Sequence, residues 1–477
     1  MFDSTAPVCA SMRRKPLAAC LTMVFCVTVP AVTAVAATTW TVDSCDDANA
    51  GSGTTGSLRF AAANAVSGDT VDMTGLACSA ISLTTGAVVL PQADIVVKGP
   101  GKSALTVSGI DDRVFRHTGH GTLKMYDLTV ANGYLHPSLG TEATGGCVHS
   151  NGQVYLKNVG VHACRATAVG AAARGGGVFA HDGFFAKYSD ISGNVASSSG
   201  SANSAGGGVF SYADVILAES TVSGNSVASG AGGGTWASGN ATFIGSTVSG
   251  NSASRGGGIY QRDNLSNDKS FVLDNSTVSG NTGLNVVGGV ATNAGTITVR
   301  NSTVAFNTAG NAGTTQHYSP GFSIADISAN LNNGTFKLVT LQSSLFSNNA
   351  YGTPATTADD YGIAHFGSAG NGNTTPTSGG NNLVFATTAF VPTGTLRNAC
   401  PGLGPLRDNG GPTWTHALAW GSPAIDQGNN TVPYTFDQRG AGFTRVSGPA
   451  DIGAYEVQQS DIVFVNGFDG PPECPAP

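Results

Sequence analysis

Ser220-Thr-Val-Ser-Gly-Asn225, Ser246-Thr-Val-Ser-Gly-Asn251 and Ser276-Thr-Val-Ser-Gly-Asn281 are one phrase written three times, starting 26 and then 30 residues apart. Looser copies stand at Ser189-Asp-Ile-Ser-Gly-Asn194, Ser302-Thr-Val-Ala-Phe-Asn307 and Ser343-Ser-Leu-Phe-Ser-Asn348. A second phrase alternates with the first: Gly175-Gly-Gly-Val-Phe179, Gly206-Gly-Gly-Val-Phe210, Gly232-Gly-Gly-Thr-Trp236 and Gly256-Gly-Gly-Ile-Tyr260. Weaker forms flank it at Gly145-Gly-Cys-Val148 and Gly288-Gly-Val290. The four full clusters start 31, 26 and 24 residues apart. A period of this length belongs to stacked supersecondary units, each too small to bury its own apolar face.

One repeat is too short and too polar for a pair of helices. Its apolar residues alternate, as in Thr-Val-Ser, which is the period of a strand with one face buried. Val, Ile and Thr supply strands, while Gly, Asn and Ser punctuate them with turns. The glycine clusters suit corners that need positive φ or a close approach to the next coil. The terminal Asn tolerates the left-handed region, and in register such asparagines form a side-chain amide ladder. One coil of a right-handed parallel β-helix meets all these demands. With strands about 4.8 Å apart, a body from near residue 70 to 350 makes on the order of ten coils, about 50 Å long.

Composition agrees with an all-β solenoid. Only 11% of residues are charged, the formal charge is −7, and glycine accounts for 67 of 477 residues. Beyond Arg13-Arg-Lys15 there is no lysine or arginine run, so nucleic acid is not an expected partner. Arg13-Arg-Lys15, the apolar stretch Leu17 to Val29 and Ala34-Val-Ala36 follow one another in the order of a secretory signal. Residues 1–36 are therefore expected to be removed, with Met12 an alternative start. The chain then divides into an N-terminal cap (37–70), β-helix coils (71–399), a C-terminal cap (400–458) and a tail (459–477). No later segment has the length and apolarity of a membrane-spanning helix, and a monomer is expected.

Beyond residue 36 six cysteines remain: Cys45, Cys78, Cys147, Cys164, Cys400 and Cys474. An even number in an exported chain reads as disulfides, and none of the spacings fits a zinc site. Six cysteines allow fifteen connectivities; local pairing gives Cys45–Cys78, Cys147–Cys164 and Cys400–Cys474. Ser57-Leu-Arg-Phe-Ala-Ala-Ala-Asn-Ala65 reads as a short helix capped by Ser57, placed to cover the open end of the first coil.

Near the C-terminus four motifs occur in order: Asp408-Asn-Gly-Gly-Pro-Thr-Trp-Thr-His-Ala-Leu418, Gly421-Ser-Pro-Ala-Ile-Asp426, Asp437-Gln-Arg-Gly440 and Asp451-Ile-Gly-Ala-Tyr-Glu456. Together they resemble the C-terminal block of bacterial choice-of-anchor Q domain proteins. The repeat phrases are similar to those of polymorphic outer-membrane proteins and other pectin-lyase-like β-helices. The tail Asp461-Ile-Val-Phe-Val-Asn-Gly-Phe-Asp469 is similar to an ending seen on exported proteobacterial proteins. These resemblances imply architecture and export, and carry no catalytic residues with them.

Because β-helices also carry lyases and hydrolases, acidic pairs have to be weighed separately. A lyase needs a base and a cation beside the substrate carboxylate; a hydrolase needs two carboxylates. The candidates are Asp111-Asp112, with Arg113 and Arg116 nearby, and Asp359-Asp360. Either could take calcium; otherwise no cofactor and no metal site is expected. Asp263 to Lys269 reads as a polar loop. His416, Asp426, Asp437, Arg439, Asp451 and Glu456 read as a structural network in which Arg439 forks to carboxylates and Asp426 and Asp451 cap turns. Phe179, Phe210, Trp236 and Tyr260 share one repeat position, as core or as an outward sugar-binding ladder; alternation alone leaves the face open. The expected function is an exported, non-enzymatic β-helix on the cell surface or secreted, in adhesion or carbohydrate contact. The alternative is a polysaccharide lyase or glycoside hydrolase acting on an acidic polysaccharide.

Overall fold

The computed structural model describes residues 36–200, 204–262, 268–310, 318–326, 338–352, 354–365, 377–458, 461 and 474. The expected signal segment and nearly all of the tail lie outside the described residues. From Ala37 onward the chain forms one unit, a parallel β-solenoid. Among the described residues its strands make sheets of 24, 13 and ten strands. The widest sheet carries two columns. Val215–Ala218, Ala241–Ile244 and Ser270–Asp274 belong to the first; Thr221–Ser223, Thr247–Ser249 and Thr277–Ser279 belong to the second. Thr122–Ala131 and Gln153–His162 run through both. The ten-strand sheet stacks Val178–Ala180, Val209–Ser211 and Thr235–Ala237 in register, with parallel partners above and below. Its ten strands agree with the expected number of coils.

In the widest sheet, inner positions repeat an apolar residue on the one below. One inward row of the ten-strand sheet is mixed, with buried His117, Ser150, Ser211, Gln261 and Thr292. In the second column Ile191, Val222, Val248, Val278 and Val304 form a fully buried row. Burying such a side chain contributes about 1.5–3 kcal/mol, and stacking like on like keeps the packing free of voids. The repeat length wanders only where loops leave the stack, because any slip within a strand would turn its valine to solvent.

Both ends of the repeated phrase carry a ladder. Asn251 donates its backbone N–H and one Nδ2 hydrogen to Asn281 Oδ1, at 3.0 and 2.9 Å, and Nδ2 also bonds the Val222 carbonyl at 3.0 Å. The same pattern links Asn194, Asn225, Asn251, Asn281, Asn307 and Asn349 without a break. At the other end of the phrase, Ser246 accepts the Ser220 N–H at 3.2 Å and donates its hydroxyl to the Ile244 carbonyl at 2.9 Å. Ser189, Ser220, Ser276, Ser302 and Ser344 repeat that second hydroxyl bond. The serine ladder was not anticipated from sequence.

Two details of the sequence reading change. The left-handed residue at the Asn corner is the glycine before it (Gly193, Gly224, Gly250 and Gly280 have φ of 63°, 63°, 62° and 64°), which frees Asn to point inward. In the last copy the frame moves by one: Ser344 and Asn349 occupy the ladders, and Asn348 (φ 60°) takes the glycine's place.

The two phrases meet in space. A Cβ on Gly177, Gly208, Gly234 or Gly258 would lie 3.0–3.1 Å from the amide of Asn194, Asn225, Asn251 or Asn281, respectively. The carbonyl of the glycine one coil on would lie closer still, at 2.5–2.8 Å, so the third glycine makes room for the stacked backbone and for the ladder together. One coil earlier the same two positions are Cys147 and Cys164, and they are joined by a disulfide with Cα atoms 5.4 Å apart. Cys45–Cys78 and Cys400–Cys474 are also formed, so the expected pairing holds throughout.

The helix spans Leu58–Asn64, with Ser57 accepting the Phe60 N–H, and buries Leu58, Ala61 and Ala62. Gln92 Nε2 fastens its last turn through the carbonyls of Ala62 and Ala65, at 2.8 and 2.7 Å. The block from Leu403 to Glu456 departs from the expected cap, because it lies along the side of the solenoid. Thr247 donates to the Trp414 carbonyl (2.6 Å), Thr277 to Gln438 Oε1 (2.6 Å), and Thr303 accepts the Ala454 N–H (3.0 Å). These threonines, second in their phrases, are buried, whereas Thr221 upstream stays half-buried.

Asn281→Ala removes a buried amide that both donates and accepts along the stack, and is expected to lower stability by about 2–4 kcal/mol. Asn348→Gly, beside the ladder at a left-handed residue, should change it by less than about 1 kcal/mol. Urea denaturation followed by circular dichroism would separate the two; equal losses would show that the ladder contributes nothing special.

Candidate functional site

The acidic pair Asp359-Asp360 is absorbed by the fold. Asp360 Oδ1 accepts the backbone N–H and side-chain Nδ2 of Asn349, at 2.9 and 2.8 Å, and Oδ2 accepts the Ala386 N–H at 2.7 Å. A carboxylate has no hydrogen to pass on, so Asp360 ends the asparagine ladder. Burial pushes its pKa up to about 6 against those N–H bonds. Burial, and then the charge of Asp360, push Asp359 up to about 7.

The C-terminal constellation is a buried structural knot. Arg439 contacts Asp437 through Nε and Nη2, at 3.0 and 2.7 Å, and its guanidinium lies 4.0 Å from the Phe443 ring centre and 3.8 Å from that of Tyr455. Asp451 accepts the N–H groups of Asp426 and Val457, and Glu456 those of Ser447 and Asp451. Asp426 itself sits at a left-handed turn (φ 58°). His416 Nδ1 bonds the Gly404 carbonyl at 2.7 Å and so carries the hydrogen; Nε2 then accepts from Ser279, also at 2.7 Å. Burial lowers its pKa to about 4, leaving a neutral ring with both nitrogens committed.

The ten-strand sheet turns one unbroken row of side chains away from the core: Val89, Arg116, His149, Phe179, Phe210, Trp236, Tyr260, Ala291 and Ser323. His149, Phe179, Phe210 and Trp236 are stacked nearly parallel, with successive centroids 5.0, 5.5 and 4.4 Å apart. The aromatic position thus faces outward. Phe179 and Phe210 are nonetheless only 5% and 1% exposed, because Tyr212 stands edge-on across them and Arg174 reaches over Phe210. What remains open is Tyr212, 42% exposed, with half-buried Trp236 and Tyr260 beside it.

At the start of this row lies a cleft of about 250 Å³ lined by Asp111, Asp112 and Arg113, with Thr84, Gly86 and Ile110. Asp112 is committed to the N–H groups of Ala87 (3.2 Å) and Arg113 (2.7 Å), whereas Asp111 is exposed. Arg113 is mostly buried, and its Nε has no hydrogen-bond partner. Burial lowers its pKa to about 10. The structure therefore brings Asp111, Asp112 and Arg113 together, with Arg116 in the adjoining outward row, and keeps Asp359-Asp360 as a separate, buried pair. No group of three or more His, Cys, Asp or Glu suited to a metal ion occurs among the described residues. Asp263 to Leu265 and the rest of that loop through Asn267 lie outside the described residues; Asp268 and Lys269 pair with each other at 3.3 Å. Comparison of the chain with protein-family models, curated proteins and solved structures finds no match.

Asp359, Asp360 and Glu456 all have raised pKa values, Glu456 to about 7 through burial. Unfolded, such carboxyls lose their protons near pH 4; folded, they hold them to near neutrality. These carboxyls bind more protons in the folded state, so their contribution to stability falls as pH rises through neutrality. His149 and His416, lowered by burial to about 4, act in the opposite sense below the unfolded histidine pKa of about 6.5, so the carboxyls are read above it. The thermal midpoint should be higher at pH 6.5 than at pH 8 by roughly 1–2 °C. Asp359→Asn should flatten that slope. A midpoint that climbs from pH 6.5 to pH 8 would contradict the assignment.

Proposed function

We propose that the chain is an exported, non-enzymatic β-solenoid that contacts a glycan at a cell surface, through the outer face of its ten-strand sheet. The observation that carries this is the open end of the aromatic row, where Tyr212, Trp236 and Tyr260 meet solvent on a rigid floor of stacked rings. Sugars present C–H faces to aromatic rings and hydroxyls to polar neighbours, and a floor fixed by strand register orders few side chains on binding. Export is supported by the signal-like order of residues 13–36 and by three disulfides, which persist in oxidising compartments. No helix among the described residues is long and apolar enough to cross a membrane. The C-terminal block, read as a choice-of-anchor Q module, would then mark the chain for surface attachment.

A second reading, a polysaccharide lyase or hydrolase, is favoured by one feature, the cleft that holds Asp111, Asp112 and Arg113. Two measurements separate the readings. Binding of the purified protein to a glycan array should weaken roughly tenfold in Trp236→Ala, a loss of about 1.4 kcal/mol. Reducing ends and unsaturated uronides should not appear on incubation with acidic and neutral polysaccharides, with or without calcium. Product that forms with the intact protein and vanishes in Asp111→Asn would establish the enzyme instead.

A further inference from the structure

Lysine is scarce in this chain, with eight in 477 residues, yet Lys98, Lys102, Lys124, Lys157 and Lys187 fall in four consecutive coils. Parallel register gathers four of them on the outer face of the widest sheet's first column. Lys98, Tyr126, Lys157 and Lys187 are successive neighbours in one row; Val96, Lys124, Tyr155 and Phe185 form the row beside it. The inward neighbours Ile95, Val97, Leu123, Met125, Val154, Leu156, Phe184 and Ala186 are buried, which fixes these eight as outward. They comprise four lysines, three aromatics, one valine and no carboxylate. No sequence run foretold this basic patch, because its lysines are 26, 33 and 30 residues apart.

Acids border this face, and Asp72 is the in-register neighbour of Lys98 one coil earlier. Asp72 accepts the Thr74 N–H (2.9 Å), Asp94 the Thr122 N–H (2.9 Å) and Asp127 the Asn158 amide (2.7 Å). Asp190 pairs with Lys102, and Glu219 with Lys187 at 3.4 Å. Lys98, Lys124 and Lys157 are exposed and form no ion pair among the described residues. Tyr155 and Phe185 stack at 4.8 Å with planes 11° apart, and Tyr126 meets Tyr155 at 5.8 Å. The lysine stems can lie along this aromatic ridge while their ammonium groups remain in water.

We propose that this face binds a linear acidic glycan, one whose sugars carry carboxylates or sulfates, laid along the solenoid axis. The argument is charge complementarity on a fixed spacing. Each coil presents one lysine, coils rise about 4.8 Å, and the two rows stand about 7 Å apart. That places one cation beside each sugar of an extended chain, with the Tyr126 and Tyr155 hydroxyls between as donors. The site is distinct from the ten-strand sheet and does not depend on the reading proposed for it.

The test is binding of the purified protein to immobilised heparin, to polygalacturonate and to duplex DNA, over a salt series. The assignment expects retention on at least one of the two glycans at about 50 mM salt and release by about 500 mM, as screening shortens the reach of exposed charges. Retention on polygalacturonate alone identifies a carboxylated ligand, and on heparin alone a sulfated one. The triple variant Lys98→Gln/Lys124→Gln/Lys157→Gln should bind roughly tenfold more weakly, the corresponding triple Arg variant should hold, and Lys269→Gln should not differ. Failure to bind either glycan, unchanged binding by the triple Gln variant, or duplex DNA bound as tightly as the glycans would overturn the proposal.

Discussion

Stacking parallel coils about 4.8 Å apart leaves one problem that apolar side chains cannot solve. Where the backbone turns between columns, its N–H groups point into the protein without a strand partner, and a buried unpaired donor costs about 1–3 kcal/mol. The repeated phrase answers this at both corners. Serine takes the N–H from the coil below at one corner, and asparagine takes it at the other while passing its own amide upward. The close stacking also dictates the glycine triplets: a third-position Cβ would meet the carbonyl of the next coil's glycine at 2.5–2.8 Å and the asparagine amide at 3.0–3.1 Å. Core, corners and glycines are therefore one solution repeated, and the row of valines follows from it.

Much of this was legible because repetition converts sequence period directly into vertical neighbours. The strands and the asparagine ladder follow from phrases that recur at nearly constant spacing, and the three disulfides from pairing cysteines that are neighbours in sequence. What escaped did so for identifiable reasons. In the last copy the doublets Ser343-Ser344 and Asn348-Asn349 allow two frames, and only the hydrogen bonds choose Ser344 and Asn349. The serine ladder was hidden because serine is ordinary in a solvated turn. At the serine corner the left-handed residues are mixed (Tyr188, Glu219, Gly245, Asn275 and Asn301), so no recurring glycine announces it. The side-on docking of the C-terminal block depends on which threonines of the repeated phrase are covered, and the phrase itself is the same whether or not they are.

The same logic governs the surfaces. A side chain that carries chemistry in one coil acquires neighbours from coils some 26–33 residues away, so faces are composed vertically. Asp359 and Asp360 looked like an acidic pair in sequence, but the stack uses Asp360 as the terminus of its ladder. The aromatic position does face outward, and two of its four rings are closed over by Tyr212 and Arg174. A lysine recurring near the coil period was the one sequence signal of the basic face, and it is visible only once the coil length is known.

The central claim is that the glycine and asparagine positions form one interlocked unit, for which Cys147–Cys164 is a covalent equivalent one coil earlier. The most direct test compares the double variants Cys147→Gly/Cys164→Asn and Cys147→Ser/Cys164→Ser by urea denaturation at matched redox conditions. An asparagine at 164 would donate to Asn194 Oδ1, which already accepts the Cys164 N–H at 2.9 Å, and so extend the ladder by one rung. The account predicts that the Gly/Asn pair recovers at least half of the roughly 3 kcal/mol expected from losing a disulfide of this loop length. Equal stability of the two variants would contradict it.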